Sequence, residues 1–354
     1  MVTVESVMET LNDTLGPEEE DNTTGLIFIL QGLIIFVFAV LIIATNILNL
    51  FVIPRLPDIN DASKVFYNCL SFADLILGVV LLPALPSAIV GDWPFGDVVC
   101  KIFGFGMTLV AGLSSASLLL LNLDRFFSIA SPLRYMAIMD RRKAIIIATS
   151  SCIVEALFLL IITFVNPFGA GIVQYTRLGA CIMSFNEPKF IVYSLVIFSV
   201  CIWSLIPILA IMYTRIICIS RKHVRRIQAQ ELTTRVSKAA GSDEPGLPDD
   251  RPHKAKKSVN HRAIRMTLLV TGTYVAAWAP FTICQIYVAM VTDDVSIIIR
   301  ALVCWPLLLN PLCNVIIYSV TKRSYRVLAR NLLKGFLRCS LADLRNATSH
   351  DILV

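Results

Sequence analysis

Long runs of apolar residues alternate with short polar segments along most of this chain. Seven runs are each long enough for the roughly 20 residues that an α-helix needs to cross a bilayer. They cover residues 26–53, 64–90, 98–128, 143–165, 190–219, 263–291 and 296–319. Because lipid offers the backbone no hydrogen bonds, a run that spans it must be helical. The pattern predicts an all-α membrane protein with a seven-transmembrane helix bundle over residues 26–319.

The segment after the seventh run has a different pattern. Between basic residues, apolar side chains recur at helical spacing at Tyr325, Leu328, Leu332, Leu333 and Phe336. This spacing is typical of an amphipathic helix that lies in the plane of a membrane interface. We therefore expect an eighth, amphipathic helix over residues 320–338, followed by a tail over residues 339–354.

The composition agrees with a lipid environment. Of the 354 residues, 56% are hydrophobic and only 16% are charged, whereas soluble domains carry about 25% charged residues. None of the four histidines lies inside an apolar run, and the sequence contains no Cys-x-x-Cys or His-Glu-x-x-His spacing. Neither a structural metal site nor an enzyme is predicted.

The basic residues indicate the orientation of the bundle. When loops are assigned to alternate sides, four of the 31 lysines and arginines fall on one side, namely Lys101, Arg177, Lys189 and Arg300. The richer side is then cytoplasmic by the positive-inside rule. This places the 1–25 tail, with sequons at Asn12 and Asn22, outside the cell, where both asparagines are expected to be glycosylated.

The inner segment between the fifth and sixth runs, residues 221–262, has basic ends around the centre "GSDEPGLPDDRP". Such a centre is too polar to form a packed core, so we expect a flexible cytoplasmic loop. The basic ends suit acidic membrane lipids. Nothing in the chain indicates a nucleic-acid partner.

Special residues occur along the apolar runs in a fixed order. In chain order they are Asn46, Asp74, Cys100, Asp124-Arg125-Phe126, Pro207, Trp278, Pro280 and the closing "NPLCNVIIY". This order resembles the rhodopsin-like family of G-protein-coupled receptors over nearly the whole chain. The resemblance implies a multi-pass plasma-membrane receptor that couples an extracellular ligand to a heterotrimeric G protein.

The resemblance assigns the receptor switch to particular residues. Asp124 would hold Arg125 at the cytoplasmic end of the third helix until the bundle opens, with Phe126 in place of the usual tyrosine. Trp278 and the Pro280 kink would move in the sixth helix, and Asn314 and Tyr318 in the seventh. The alternatives are an Arg125 that reaches the interface without pairing and a Trp278 that is ordinary core. Asn260 stands where some members have a glutamate that restrains the arginine, so a looser resting state is expected.

Two helices depart from the family pattern. Val315 replaces the usual proline after Asn314, and Asn310-Pro311 offers a second alignment; the spacing to Tyr318 favours Asn314. Tyr213 follows Pro207 more closely than the family's tyrosine does, so its usual role is not assigned. Glu155, in the fourth run, is an acid without an assigned role.

The resemblance also implies covalent features. Cys100 and Cys181 match the disulfide that ties the third helix to the second outer loop. Cys339, at the end of the amphipathic helix, is either a palmitoylation site or a free thiol.

The ligand pocket differs from two known subclasses. Met107 stands where aminergic receptors have an aspartate, and Leu308 where opsins have a lysine, so this is an orphan-like member. By family position the pocket walls are Met107, Thr108, Ala111, Ser199, Trp203, Phe281, Gln285, Arg300 and Cys304. They form a mainly apolar cavity, and Arg300 is either an anion partner or an interfacial anchor.

Asp74 is a costly charge near the middle of the second helix. Family positions surround it with the oxygens of Ser114, Asn310 and Asn314. An acid among neutral oxygens suits a small hard cation, so we expect an allosteric sodium ion and no other cofactor. The alternative is a protonated Asp74 bonded to the two asparagines.

Two other membrane functions fit less well. A transporter or channel would be expected to show inverted repeats and paired broken helices, and the sequence shows no internal repeat. An intramembrane enzyme would need a nucleophile with a base or a metal set, which the sequence does not supply.

Overall fold

The computed structural model describes residues 17–90, 92–161, 173–176, 180–183, 251–291 and 297–350, with scattered positions between 206 and 233. In these parts the chain forms nine helices, with a 3-10 turn at Ile53–Arg55 after the first. They are α1 (Pro17–Val52), α2 (Asp61–Val80), α3 (Ala84–Val90), α4 (Gly96–Ala130), α5 (Pro132–Ile138), α6 (Arg141–Leu160), α7 (Arg251–Val291), α8 (Ile297–Thr321) and α9 (Arg323–His350).

Six segments of the described chain are long and apolar enough to cross a membrane. They are Ile29–Arg55, Asp61–Val90, Gly96–Ser128, Arg141–Leu160, Leu268–Tyr287 and Leu302–Thr321. They coincide with six of the seven predicted runs. Most of the remaining run, 190–219, falls outside the described residues, as does the centre of the predicted loop 221–262.

Several helices begin or end at residues that the apolar pattern alone does not indicate. Helix α1 begins at Pro17, well before the predicted start at 26. Proline is favoured at the first helical position, and the following acids, "EEED", favour a helix N-terminus through the helix dipole. The second run is interrupted by a turn at residues 81–83, between α2 and α3, because Pro83 lacks the backbone N–H that a continuous helix needs.

Two helices extend further at their polar ends than predicted. Helix α7 begins at Arg251, so residues 251–262 of the predicted flexible loop are helical. Helix α9 runs to His350, well past 338 and through most of the predicted tail 339–354. Each extension contains residues that favour helix without being uniformly apolar, namely Lys and Arg in 251–262 and Ala and Leu in 339–350.

The core of the bundle forms around α2, which packs against α1, α4 and α6. Gly78 lets α1 approach closely, since a Cβ there would lie 2.8 Å from Ile43 Cγ1 and 3.2 Å from the Ile43 nitrogen. Strands β1 (Val173–Thr176) and β2 (Ala180–Met183) pair antiparallel. This hairpin lies against α4.

Candidate functional site

Asp124 and Arg125 form an ion pair near the C-terminal end of α4. The Asp124 carboxylate accepts a hydrogen bond from Arg125 Nε at 3.2 Å, and Arg125 Nη2 lies 3.1 Å from the same oxygen. Asp124 is fully buried, and the Arg125 side chain is 12% exposed. Arg125 Nη2 is not aligned for a hydrogen bond to the carboxylate and has no other hydrogen-bond partner in the described part of the chain. The guanidinium therefore keeps an unused donor.

Three further side chains hold Asp124 in place. Ser63 donates to one carboxylate oxygen at 2.5 Å, and the Tyr135 hydroxyl donates to the other. Asn60, the N-cap of α2, accepts from the Ser63 backbone N–H at 2.7 Å and donates to the Tyr135 hydroxyl at 3.2 Å. Helices α2, α4 and α5 are thus joined at one carboxylate.

This network carries an exposed apolar surface at the same end of α4. Helix α5 buries Tyr135 against Asp124 but leaves Leu133 87% exposed and Met136 78% exposed. Phe126 and Phe127 stack edge to face at the end of α4, with ring centroids 5.5 Å apart. Exposed apolar side chains of this kind mark a contact with another protein or with the membrane.

Asp74 lies at the centre of the bundle, where α2, α4 and α8 meet. It accepts hydrogen bonds from Ser114 at 3.2 Å and from Asn314 Nδ2 at 2.9 Å. The side-chain oxygens of Asn310 and Asn314 are buried and have no hydrogen-bond partner in the described chain. The contact with Asp74 supports the alignment that assigns Asn314 to the family motif.

Trp278, a predicted switch residue of the sixth helix, belongs to an aromatic column in α7. Trp278 stacks on Tyr274 with ring centroids 5.7 Å apart and meets Phe281 edge to face at 5.9 Å. Pro280 lies within α7, which continues through it. Tyr274 reaches across to α4, where its hydroxyl is hydrogen-bonded to Ser115.

Tyr318 is buried near the C-terminal end of α8. Its ring meets Tyr67 edge to face at 5.4 Å and Tyr325 at 6.1 Å, and its hydroxyl has no hydrogen-bond partner in the described residues. The Tyr325 hydroxyl donates to Asn49 Oδ1 at 2.6 Å, which attaches α9 to α1.

The predicted disulfide is present. Cys100, in the first turns of α4, is bonded to Cys181 in β2. Gly104 lies beside it, and a Cβ there would come within 2.5 Å of Val173 Cγ1. The disulfide and this close approach fix the hairpin over the N-terminal end of α4.

The predicted pocket walls are only partly described. Met107, Thr108 and Ala111 lie on α4, Phe281 and Gln285 on α7, and Cys304 on α8, and all six are half-buried. Ser199 and Trp203 lie outside the described residues, as does Asn12. Arg300, Asn22, Asn260 and Cys339 belong to described helices, but their side chains do not belong to the described part.

Glu155 lies on the face of α6 that packs against α4. Its carboxylate covers Gly112, and a Cβ at that glycine would come within 1.7 Å of Glu155 Oε1. Gly112 therefore makes the space that this acid occupies between the two helices.

Sequence reasoning did not assign Asn60, Ser63 and Tyr135, or the contacts of Ser115 and Asn122 with α7. Tyr135 follows the Asp-Arg pair closely, just after the Ser-Pro break, and a polar aromatic at that place was an available signal. Ser63 belongs to a different helix from Asp124 and is distant from it in the sequence, so no local pattern could have indicated their contact.

Comparison with known families decides the class. The model of the 7 transmembrane receptor (rhodopsin family) matches residues 45–318. The chain belongs to this family. It is therefore a G-protein-coupled receptor, a multi-pass membrane protein with a seven-transmembrane helical bundle.

Individual relatives have low sequence identity but match most of the chain. The receptor is 19% identical to the octopamine receptor beta-2R of Chilo suppressalis over 93% of its own length and 85% of the relative's. It is 26% identical to the 5-hydroxytryptamine receptor 6 of Mus musculus over 82% of its own length and 67% of the relative's. Its fold is similar to squid rhodopsin, with a TM-score of 0.74, 17% identity and coverage of 89% and 87%. These relatives are receptors or opsins and not enzymes.

Proposed function

We propose that this receptor transmits the binding of an extracellular ligand to a heterotrimeric G protein by opening the cytoplasmic side of its bundle. The observation that carries this is the buried Asp124–Arg125 pair, in which Arg125 keeps one donor unused. In the closed bundle the pair lowers the cost of a cation at the membrane edge. A ligand that binds the open bundle better shifts the population toward it, and Arg125 then becomes available to the G protein.

The exposed side chains of Leu133 and Met136 support a contact with the G protein. They extend from α5, which is attached to Asp124 through Tyr135. An apolar contact on α5 would therefore act on the same carboxylate that holds Arg125. We assign this surface to the G protein because it lies at the same end of α4 as the ion pair.

The orientation and covalent features follow from this assignment. The G-protein surface is cytoplasmic, which places the N-terminus of this plasma-membrane protein outside the cell, in agreement with the basic residues. Asn12 and Asn22 would then carry glycans, and Cys339 on α9 could be reached by palmitoyl transferases.

The ligand is proposed to be small and mainly apolar. The named relatives are receptors for octopamine and 5-hydroxytryptamine, but at Met107 this receptor lacks the acid expected to pair with an amine. The described walls from α4, α7 and α8 offer Thr108 and Gln285 as neutral polar groups. The Thr108 hydroxyl already donates to the backbone of Gly104 at 2.9 Å. The proposed pocket also includes Ser199, Trp203 and Arg300.

A sodium ion bound at Asp74 is proposed as the allosteric regulator. The residues fit such an ion, because Asp74 supplies a carboxylate, Ser114 a hydroxyl, and Asn310 and Asn314 two buried oxygens that lack hydrogen-bond partners in the described chain. Oxygen donors of this kind suit hard cations. The ion would supply the positive charge that balances Asp74, and these residues would hold it in the closed bundle.

Nucleotide exchange tests the proposed function. Purified receptor in lipid nanodiscs is mixed with purified G proteins of each class, and GTP analogue uptake is measured across a panel of small apolar ligands and amines. Stimulated uptake with at least one G protein is expected. Absence of both basal and stimulated uptake with all classes would contradict the proposal.

A further inference from the structure

We propose that two pairs of hydrogen-bonded side chains between α4 and α7 form a latch that holds the bundle closed. The latch residues are Ser115 with Tyr274 and Asn122 with Thr271. The inference names a regulation of the proposed signalling function and rests on it for its consequence, but the latch can be measured on the receptor alone.

The first pair is a contact between two hydroxyls. Ser115 donates to the backbone oxygen of Ala111 at 2.8 Å, which uses its one proton. The Tyr274 hydroxyl is then placed to donate to Ser115 Oγ. Tyr274 is fully buried, and removing this contact costs a hydrogen bond in a site that water does not reach.

The second pair is reciprocal. Asn122 Nδ2 donates to Thr271 Oγ1 at 3.0 Å, and these two side chains are also placed for the Thr271 hydroxyl to donate to Asn122 Oδ1 at 3.3 Å. Both residues are fully buried. One amide and one hydroxyl thus satisfy each other between two helices.

The two pairs follow the same order along antiparallel helices. Ser115 and Asn122 are separated by two helical turns and so share one face of α4. Thr271 and Tyr274 are separated by about one turn on α7 and also share a face. The outer partner on each helix meets the outer partner on the other, so the pairs act on one interface.

The latch connects the aromatic column to the ion pair. Tyr274 stacks on Trp278, the residue expected to respond to ligand. Asn122 precedes Arg125 by one turn on the same helix. Movement of the cytoplasmic half of α7 away from α4 must break these bonds. Asn260 supplies no acid at the position where some family members have a glutamate that restrains the arginine. The latch therefore supplies a restraint deeper in the bundle.

Isosteric variants test the latch. Tyr274→Phe and Ser115→Ala each remove the first bond, and Thr271→Val removes the second while keeping its shape. Thr273→Val is the matched control, because the Thr273 hydroxyl bonds to carbonyls of its own helix, at Leu269 and Val270. All variants are first checked for thermal stability and folded yield.

The main measurement is the distance between α4 and α7 in receptor without G protein. Spin-labelled amino acids are encoded at Phe127 and Leu268, which are both exposed, and their distance distribution gives the open fraction. Each latch variant is expected to raise the ratio of open to closed bundle by roughly two- to tenfold, the effect of one net hydrogen bond. The double variant Tyr274→Phe/Ser115→Ala should not have a higher open fraction than either single variant, because both substitutions remove the same hydrogen bond.

The outcomes separate the latch from the proposed function. A higher open fraction in the latch variants, with Thr273→Val unchanged, supports the latch; basal nucleotide exchange should then rise in parallel. A higher open fraction without any exchange would keep the latch and contradict the proposed coupling. An open fraction equal to wild type in Tyr274→Phe, Ser115→Ala and Thr271→Val would overturn the latch.

Discussion

The two charges at the end of α4 can be buried because their partners come from three helices. The Asp124 carboxylate accepts hydrogen bonds from Ser63, Tyr135 and Arg125. An unpaired buried carboxylate would cost several kcal/mol, whereas this one is surrounded by donors. Because these donors belong to different helices, their hydrogen bonds to the carboxylate break when the helices separate. The carboxylate can then act as part of a switch.

At the residue scale, Asp74 gives a direct prediction. Sodium that binds the closed bundle should lower basal nucleotide exchange, and Asp74→Asn should remove this effect because it removes the one carboxylate of the site. Basal exchange is measured in sodium and in an equal concentration of N-methylglucamine. Equal insensitivity of wild type and variant to the choice of cation would contradict a sodium site at Asp74.

The sequence predicted single residues better than their contacts. Cys100 and Cys181 were identified from family position, as were Asp74, Ser114 and Asn314, three residues that the structure brings together. The partners Ser63 and Tyr135 were not predicted, since serine and tyrosine occur at many positions and a contact between distant parts of the chain has no periodicity.

At the element scale, apolar patterning located the described membrane helices but not their ends. The pattern measures which residues lipid accepts, whereas a helix continues through polar residues that favour it. Helix α7 begins at Arg251, well before its apolar run, for this reason. Caps and prolines determine the ends, as at Pro17 in α1 and Pro83 after α2.

Packing of α2 on α1 gives a stability prediction. Gly78→Ala places a Cβ 2.8 Å from Ile43 Cγ1 and 3.2 Å from its backbone nitrogen, and β-branched isoleucine has few alternative rotamers. We expect a loss of about 1–3 kcal/mol of unfolding free energy, measured by thermal unfolding in detergent. Gly272→Ala in α7 is the control, because no described atom lies within 4 Å of the new Cβ; it should not destabilise.

The attachment of α9 gives another prediction at this scale. Asp58 accepts from Lys322 Nζ at 3.2 Å and from Ser324 at 2.9 Å. Burial raises the pKa of Asp58, but Lys322 and Ser324 lower it more, so its pKa lies below its usual value. Burial lowers the pKa of Lys322 more than Asp58 raises it. The ion pair therefore favours the charged form of Asp58, whereas burial still disfavours the charged form of Lys322.

Because the Lys322 side chain is only 10% exposed, Asp58→Asn leaves a buried ammonium without its counterion. Lys322→Met keeps the packing of the stem and removes the charge. Backbone hydrogen exchange over residues 323–333 should therefore increase in Asp58→Asn and increase less in Lys322→Met. The reverse order would show that the ion pair does not hold α9. The Asp58 contribution should persist at neutral pH and be lost as pH falls through its lowered pKa.

At the scale of the whole molecule, the receptor places its polar contacts along one axis through the bundle. The disulfide fixes the end that carries the hairpin, Asp74 lies at the centre, and Asp124 and Arg125 lie at the opposite end. Around this axis the helices expose apolar side chains, as expected where lipid replaces water.

Arg125→Ala tests the central claim, that Arg125 carries coupling to the G protein. Wild type, Arg125→Ala and the exposed control Arg55→Ala are matched for surface expression, and nucleotide exchange on the responsive G protein is measured. We predict a loss of roughly tenfold or more for Arg125→Ala, the effect of removing a charged hydrogen bond, with Arg55→Ala unchanged. Wild-type exchange by correctly expressed Arg125→Ala would contradict the account.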